Sequence, residues 1–344
     1  MKNRGKLTRW LVVLGLLHVG VACAGFFGPY DPAEQDRDNP YVPPTRLHLI
    51  DSAGHWHFRP FFYGRLPRED SFEELREDTT KIFPLRFFIP GKPYPLLGFI
   101  PCRLRLFGAE RSRVYLIGTD EFGRDLWSRI LYGGQLSLLA GMVGTSLTLF
   151  LAACIGTLAG YFGGWRDGLL MRIAELFTAL PWLYLMFALR AFLPLTVQPL
   201  EAFLLVIVVL GAVGWARPAR LVRGVVLSEK ERDFVRAARG FGASNGYLLR
   251  HHILPATWSV LLTQGAILVP QFVLAEMTLS FLGLGVPEPV PSWGNLLANL
   301  QQYSVLVSCW WMYVPALAVI PFFVGYLGLA SALQEHADPY KIEA

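Results

Sequence analysis

The segment Ser228–Pro255, SEKERDFVRAARGFGASNGYLLRHHILP, is a charged block set between two long apolar stretches, and its character decides how those stretches are understood. Ser228 with Glu231 has the S-x-x-E spacing of a capping box, which predicts a helix starting there with Phe234, Val235, Ala237 and Ala238 as its apolar edge. Gly240 and Gly242 can end that helix. Ser244 can cap a second, short helix carrying Tyr247, Leu248 and Leu249. Pro255 is expected to keep that helix from running on as a continuous rod, because proline lacks the N–H that a helix interior uses. Such a helix–turn–helix is compatible with an ordinary solvated connector or with a contact surface for another protein.

Working outward, 53% of the 344 residues are hydrophobic and only 17% are charged, and the mean hydropathy is +0.39. That is too apolar for an ordinary soluble domain of this size, so a bilayer is its expected solvent. A crossing needs about 20 apolar residues, and six stretches satisfy this: 10–27, 135–161, 168–194, 201–218, 257–284 and 310–333. Pro181 and Pro270 interrupt the third and fifth, which a packed bundle tolerates. The basic start, Lys2, Arg4, Lys6 and Arg9, predicts a cytoplasmic N-terminus. Six crossings then return the C-terminus to that side and place 228–255 inside. Arg217, Arg220 and Arg223 fall at the inner end of the fourth stretch, where their stems can snorkel to headgroups. The net charge of +5 and pI near 9.0 are read as headgroup contact and topology signal, not nucleic-acid binding, since no basic reading element is present. Val21-Ala22-Cys23 faintly resembles a lipoprotein cleavage site, but apolar sequence continues past it, so residues 10–27 are expected to remain as an anchor. Cys23, Cys102, Cys154 and Cys309 show neither zinc nor disulfide spacing and read as structural thiols.

The segment after the first stretch is expected outside the membrane. Runs such as Arg59-Pro60-Phe61-Phe62-Tyr63 and Phe87-Phe88-Ile89-Pro90 predict a small cap with short strands. Glu73, Glu74, Arg76, Glu77 and Asp78 suggest one short polar helix within it. His55 and His57 lack a third ligand and read as surface residues, so no metal is expected. Gly118–Arg129 begins with capping residues and continues with Leu126, Trp127, Ile130 and Leu131, which predicts an interfacial helix over 118–134. Asp120 and Asp125 are expected to serve as a cap and an outward salt bridge, not as an acid/base pair. Gly156, Gly160 and Gly164, four apart, form a ridge permitting close helix contact. Arg172 can pair with Glu175 one turn away. Glu276 has no partner in the local sequence and is a candidate pathway or gate residue.

Ala237-Ala238, Gly242 four residues on and Ile253-Leu254-Pro255 together resemble the "EAA" loop of permease subunits of bacterial ABC importers. G-T-D-x-x-G-R-D-x-x-S-R from Gly118, the turn Ala159–Asp167, and Glu276–Gly285 with Pro287, Pro289, Pro291, Ser292, Trp293, Gly294 and Asn295 are similar to the dipeptide/oligopeptide/nickel branch. The resemblance covers roughly 115–340 plus the first stretch. It implies an all-α membrane protein with the six transmembrane helices of the type I permease fold and an enlarged, mixed-structure periplasmic insert. The divisions would be 1–28, the insert 29–117, the interfacial helix 118–134 and a five-helix core 135–340 containing a cytoplasmic coupling loop, 220–256. In the family that loop docks on the ATPase, which carries the role to Arg236, Ala237, Ala238, Gly242, Ala243, Ser244, Leu248, Ile253, Leu254 and Pro255. Arg236 stands where the family has Glu, so the charge of one contact is reversed. The outer end of the fifth span meets the binding protein and the pathway mouth in the family, which makes Glu276, Ser280 and Trp293 pathway candidates. Asp338-Pro339 matches the branch's ending, whereas Ser331, Ala332 and Gln334 replace its Asp, Gly and Arg.

A nucleotide-binding P-loop requires G-x-x-x-x-G-K-[ST], and neither Gly5-Lys6 nor Gly91-Lys92 meets it. The expectation is therefore a non-enzymatic inner-membrane subunit without a cofactor of its own. ATP would be bound by two cytoplasmic ABC ATPases. A homologous second permease, an extracytoplasmic substrate-binding protein and the lipid bilayer complete the implied partners. A secondary, ion-coupled transporter is the alternative; it would call for an inverted repeat and intramembrane ion sites, and no repeat is evident.

Overall fold

The long apolar runs fold as helices in the computed structural model, which describes residues 2–65, 77–181, 184–185, 188 and 198–337. The helices α1 (Lys2–Ala22), α2 (Ala24–Phe27), α3 (Leu126–Phe162), α4 (Gly164–Ala179), α5 (Pro199–Gly214) and α6 (Ala216–Glu229) precede the charged segment. That segment holds α7 (Asp233–Gly240) and α8 (Asn245–Leu248), followed by a π-helical turn, Leu249–Ile253, and α9 (Leu254–Phe281). The short α10 (Trp293–Ala298) and α11 (Tyr303–Ser308) then lead to α12 (Val314–Ala337). Among the described residues, four helical runs are long and apolar enough to cross a membrane: Gly5–Ala22, Leu126–Phe162, Asn245–Phe281 and Trp310–His336. A fifth arises if α5 and α6, bent by 42° at Trp215, count as one span. The third expected stretch lies partly outside the described residues, as do Glu73, Glu74, Arg76, Asp338 and Pro339.

Between α2 and α3 the chain forms small antiparallel sheets, as the aromatic- and proline-rich runs predict. One sheet orders β1 (His48–Ile50), β2 (Trp56–Arg65) and β3 (Glu77–Pro84); the other pairs β4 (Arg86–Leu96) with β5 (Ile100–Gly108). Glu77 and Asp78, expected in a polar helix, lie in β3, where Arg65 and Gly64 of β2 pair with them. His57 and His55 both approach the Asp51 carboxylate, at 3.0 and 3.3 Å.

The chain divides into two compact units. The first comprises Met1–Leu14, Leu138–Glu276 and Phe322–Ala344. Within it Gly156 and Gly160 let α6 approach closely: a Cβ on Gly156 would lie 2.5 Å from the Ala219 carbonyl oxygen, and one on Gly160 would lie 2.9 Å from Val226 Cβ. Gly164, the third glycine of the expected ridge, starts α4 and has open space where a Cβ would be. Arg172 and Glu175 are both exposed and form no ion pair with each other. The pair that joins α4 to α6 is Asp167–Arg223, bidentate at 2.5 and 2.6 Å.

The second unit comprises Gly15–Ser137 and Met277–Pro321. It has one core of Phe62, Leu85, Phe107 and Val114 and another of Leu126, Ile130, Leu296, Val305, Cys309, Trp311 and Met312. No separate interfacial helix exists over 118–134. Residues 118–125 are a folded loop, and the helix beginning at Leu126 continues unbroken to Phe162. Nor is the salt bridge of this loop outward, as described below. Pro270 lies inside α9 without interrupting it.

Candidate coupling site

The charged segment lies within the first unit, between α6 and α9. Ser228 does not start a helix. It lies in the last turn of α6, which continues to Glu229 because Val222 and Val226 are fully buried. The next helix begins only at Asp233. Val235, Leu248 and Ile253 are likewise fully buried with Val222, Val226, Tyr161 and Leu261, with Ala238 and Ala243 packed against them. One apolar residue per turn therefore anchors each short helix, and the polar residues are left outside.

The end of α7 explains the spacing of its small residues. The N–H of Ala243 donates to Ala238 O at 3.0 Å and that of Gly242 donates to Arg239 O at 3.0 Å, the two bonds of a Schellman motif. Gly242 occupies the left-handed position at φ +88°, where a side chain would be strained. Ala238 and Ala243 are the pair whose apolar contact accompanies this motif. Ser244 then caps α8, accepting from the Tyr247 N–H, as its position predicts. Pro255, by contrast, does not stop the helix. The π turn closes with Leu254 N–H on Leu249 O, an i→i−5 bond, and α9 continues directly. A widened turn accommodates the proline ring and its missing N–H, so the helical run is continuous from Asn245 to Phe281.

Polar bonds fix this segment to the α3–α4 corner. Tyr161 Oη donates to Asn245 Oδ1 at 2.7 Å, Lys230 Nζ to Gly160 O at 2.8 Å, and Arg239 Nη2 to Tyr161 Oη at 3.4 Å. The outward surface is aromatic and cationic: Phe241 is 93% exposed, and Phe234, Tyr247, Arg236, Ala237 and Arg250 are also exposed. Phe241 escaped the sequence reading, although an aromatic between two glycines of a turn is a detectable signal of an exposed contact. Arg236 donates to Glu231 Oε2 at 2.6 Å, and this partner holds the Glu231 carboxyl below its ordinary range. The reversed charge at Arg236 is thus answered within the chain, on an exposed edge. Of the remaining expected docking residues, Leu254 and Pro255 are exposed whereas Leu248 and Ile253 are interior.

The pathway candidates are placed differently. Glu276 is fully buried in α9. Ser280 packs in the second unit against Gly294, the neighbour of Trp293 in sequence, where a Cβ would lie 2.7 Å from Ser280 Cβ. Trp293 is interior: it is 1% exposed, and its indole N–H donates to Ile130 O at 3.0 Å. The cap that starts α10 at Ser292, reciprocal with Asn295, turns the ring inward.

The same unit contains a buried ionic cluster. Arg124 Nε donates to Asp120 Oδ2 at 2.7 Å and its Nη1 to Glu288 Oε2 at 2.6 Å. Arg129 Nη2 donates to Glu288 Oε1 at 2.8 Å and its Nη1 to Pro32 O at 3.1 Å. Asp120, Arg124 and Arg129 are each at most 2% exposed. Asp125 accepts from Ser128 N–H and Oγ at 2.9 and 2.6 Å at the start of α3. Gly123, at φ +70°, lies against the Asp36 carbonyl, where a Cβ would come within 1.8 Å of the oxygen. The G-T-D-x-x-G-R-D-x-x-S-R stretch is therefore a folding unit, and Glu288 is its distant member.

Comparison with known proteins gives these features a context. A family profile described as binding-protein-dependent transport system inner membrane component matches residues 152–338, which include the whole charged segment. The dipeptide transport system permease protein DppC of Bacillus subtilis is 35% identical over 229 residues, covering 66% of this chain and 69% of that protein. DppC of Alkalihalophilus pseudofirmus is 32% identical over 228 residues, covering 66% and 73%. The oligopeptide transport system permease protein OppC of Haemophilus influenzae is 34% identical over 227 residues, covering 65% and 70%. The chain belongs to the binding-protein-dependent transport system inner membrane components, the permease subunits of binding-protein-dependent importers.

Proposed function

We propose that this permease subunit imports peptides, forms half of a translocation pathway with a homologous second permease, and receives its energy through residues 228–255. The peptide class rests on the dipeptide and oligopeptide permeases it resembles. Family membership implies ATPase and binding-protein partners. The observation that carries the coupling role is the exposed aromatic–cationic face of α7 and its turn, held by a Schellman motif and by Tyr161, Lys230 and Arg239 to the α3–α4 corner. A rigid projection of this kind transmits a push from a docked ATPase to the helices, and alternating access follows when nucleotide closes the ATPase pair. In this reading the fold is the six-span type I arrangement, with both termini and the coupling segment cytoplasmic. Two ATPases bind this chain and its partner permease, and the extracytoplasmic binding protein delivers substrate on the opposite side. Glu276, Ser280 and Trp293, all three buried, are kept as the pathway candidates of this reading.

Co-purification from native membranes followed by reconstitution tests this. The expected result is recovery with two ATPases and a second permease, and peptide uptake that requires ATP and the binding protein. Uptake by the chain alone, driven by an ion gradient, would replace this proposal with a secondary transporter.

A further inference from the structure

The β4–β5 hairpin ends in Pro93-Tyr94-Pro95-Leu96-Leu97-Gly98-Phe99-Ile100-Pro101, a run with no charged side chain, bracketed by Lys92 and Arg103. At its tip Leu97 is 49%, Phe99 75% and Ile100 43% exposed. Single exposed apolar residues are ordinary on protein surfaces, but several on one turn mark a contact. What they contact follows from where the hairpin is fixed.

Within this unit the hairpin packs on α2, which follows the first span after Cys23 and ends at Gly28. A Cβ on Gly25 would fall 2.1 Å from the Tyr94 ring, so the strand and the helix touch there. Closer to the base of the hairpin, Arg105 crosses Gly91 and donates to Gly28 O at 2.6 Å. Passing from Gly91 to Tyr94 therefore follows the chain from Gly28 back to Gly25, toward the span and not away from it. The tip lies beyond Tyr94 in that same direction, by about 10 Å at the rise of a strand. Its backbone suits an interface poor in water. Pro93, Pro95 and Pro101 carry no N–H, and the turn closes on itself through Gly98 N–H to Pro95 O and Phe99 N–H to Leu96 O.

From this continuity with the first span we infer that the hairpin tip, Leu97, Phe99 and Ile100, inserts into the headgroup–acyl boundary of the leaflet that this span leaves. Arg103 stands behind it at the level of lipid phosphates, and Lys92, whose ammonium also meets Glu34 Oε2 at 2.9 Å, lies on the same side. Phenylalanine and aliphatic side chains at that depth, backed by cations, are the composition of an interfacial anchor. The inference does not depend on which substrate is carried or on which side of the membrane the loop faces.

A depth measurement tests it. In full-length protein with Cys23, Cys102, Cys154 and Cys309 replaced by alanine, a nitroxide is attached at Phe99→Cys and, separately, Leu97→Cys, in phosphatidylcholine–phosphatidylglycerol vesicles. Collisions with oxygen should exceed those with a water-soluble nickel chelate several-fold at both positions, and the order should reverse at Thr80→Cys. Hydroxyl-radical footprinting of the unaltered chain in lipid nanodiscs provides a second measurement, in which Phe99 should be oxidised several-fold less than the similarly exposed Phe58. Chelate-dominated collisions at both tip positions, or equal oxidation of Phe99 and Phe58, overturn the inference. Protection that arises only on adding the soluble binding protein also overturns it and makes the tip a protein-docking surface.

Discussion

The segment 228–255 and the loop 118–129 are both polar, yet they are built on opposite principles. The first keeps its charges outside and is held by Val235, Leu248 and Ile253 together with backbone bonds around Gly242. The second buries Asp120, Arg124 and Arg129 and satisfies them with one another and with Glu288. A surface that must engage and release a partner gains from exposed, replaceable charges, whereas a buried ion cluster fixes one arrangement and is costly to open.

Breaking the buried cluster should have the largest effect. Asp120→Ala removes one of the two carboxylates that neutralise two buried guanidinium groups, leaving Glu288 alone to both, and should cost about 3–5 kcal/mol, seen as a large drop in thermal unfolding temperature and in recovery of folded protein. Asp125 comes next. Burial raises its pKa from 3.8 to about 6, so the folded state binds the proton more tightly than the unfolded one. Its contribution to stability is full below the ordinary value and is lost as pH rises through about 6. Asp125→Asn should therefore gain on wild type between pH 4 and 7 in paired unfolding scans; parallel curves would contradict this.

The exposed segment should respond in coupling more than in stability. Gly242→Val puts a β-branched side chain at φ +88°, a strain of about 1–2 kcal/mol or more. Ser244→Ala removes a cap worth about 1 kcal/mol, and fraying of α8 should be read in hydrogen exchange at Tyr247. Arg236→Glu sets two exposed carboxylates side by side in place of the pair with Glu231. Unfolding should barely change, while any change in ATPase stimulation would place this edge against the partner.

Much of the exposed segment was legible because its determinants are local. Gly242 and Ser244 act on backbone groups within five residues, and their roles follow from residue type alone. The failures share a cause, which is tertiary override. Ser228 has cap spacing, but Val222 and Val226 against Gly156 and Gly160 keep α6 helical past it. Pro255 reads as a stop, but the π turn before it absorbs the ring. The interior seat of Trp293, in a hollow that Gly134 leaves beside Ile130, is likewise set by tertiary contact. The partnership of Glu288 with Arg124 and Arg129 spans more than 150 positions, and no local pattern announces it.

The central claim is that energy enters through the turn at Gly242, and import per ATP hydrolysed tests it most directly. In proteoliposomes containing the complete complex, Gly242→Val should hydrolyse ATP with little peptide uptake, while Gly242→Asn, which tolerates the left-handed conformation, should retain coupling. Unchanged uptake per ATP in Gly242→Val would contradict the account.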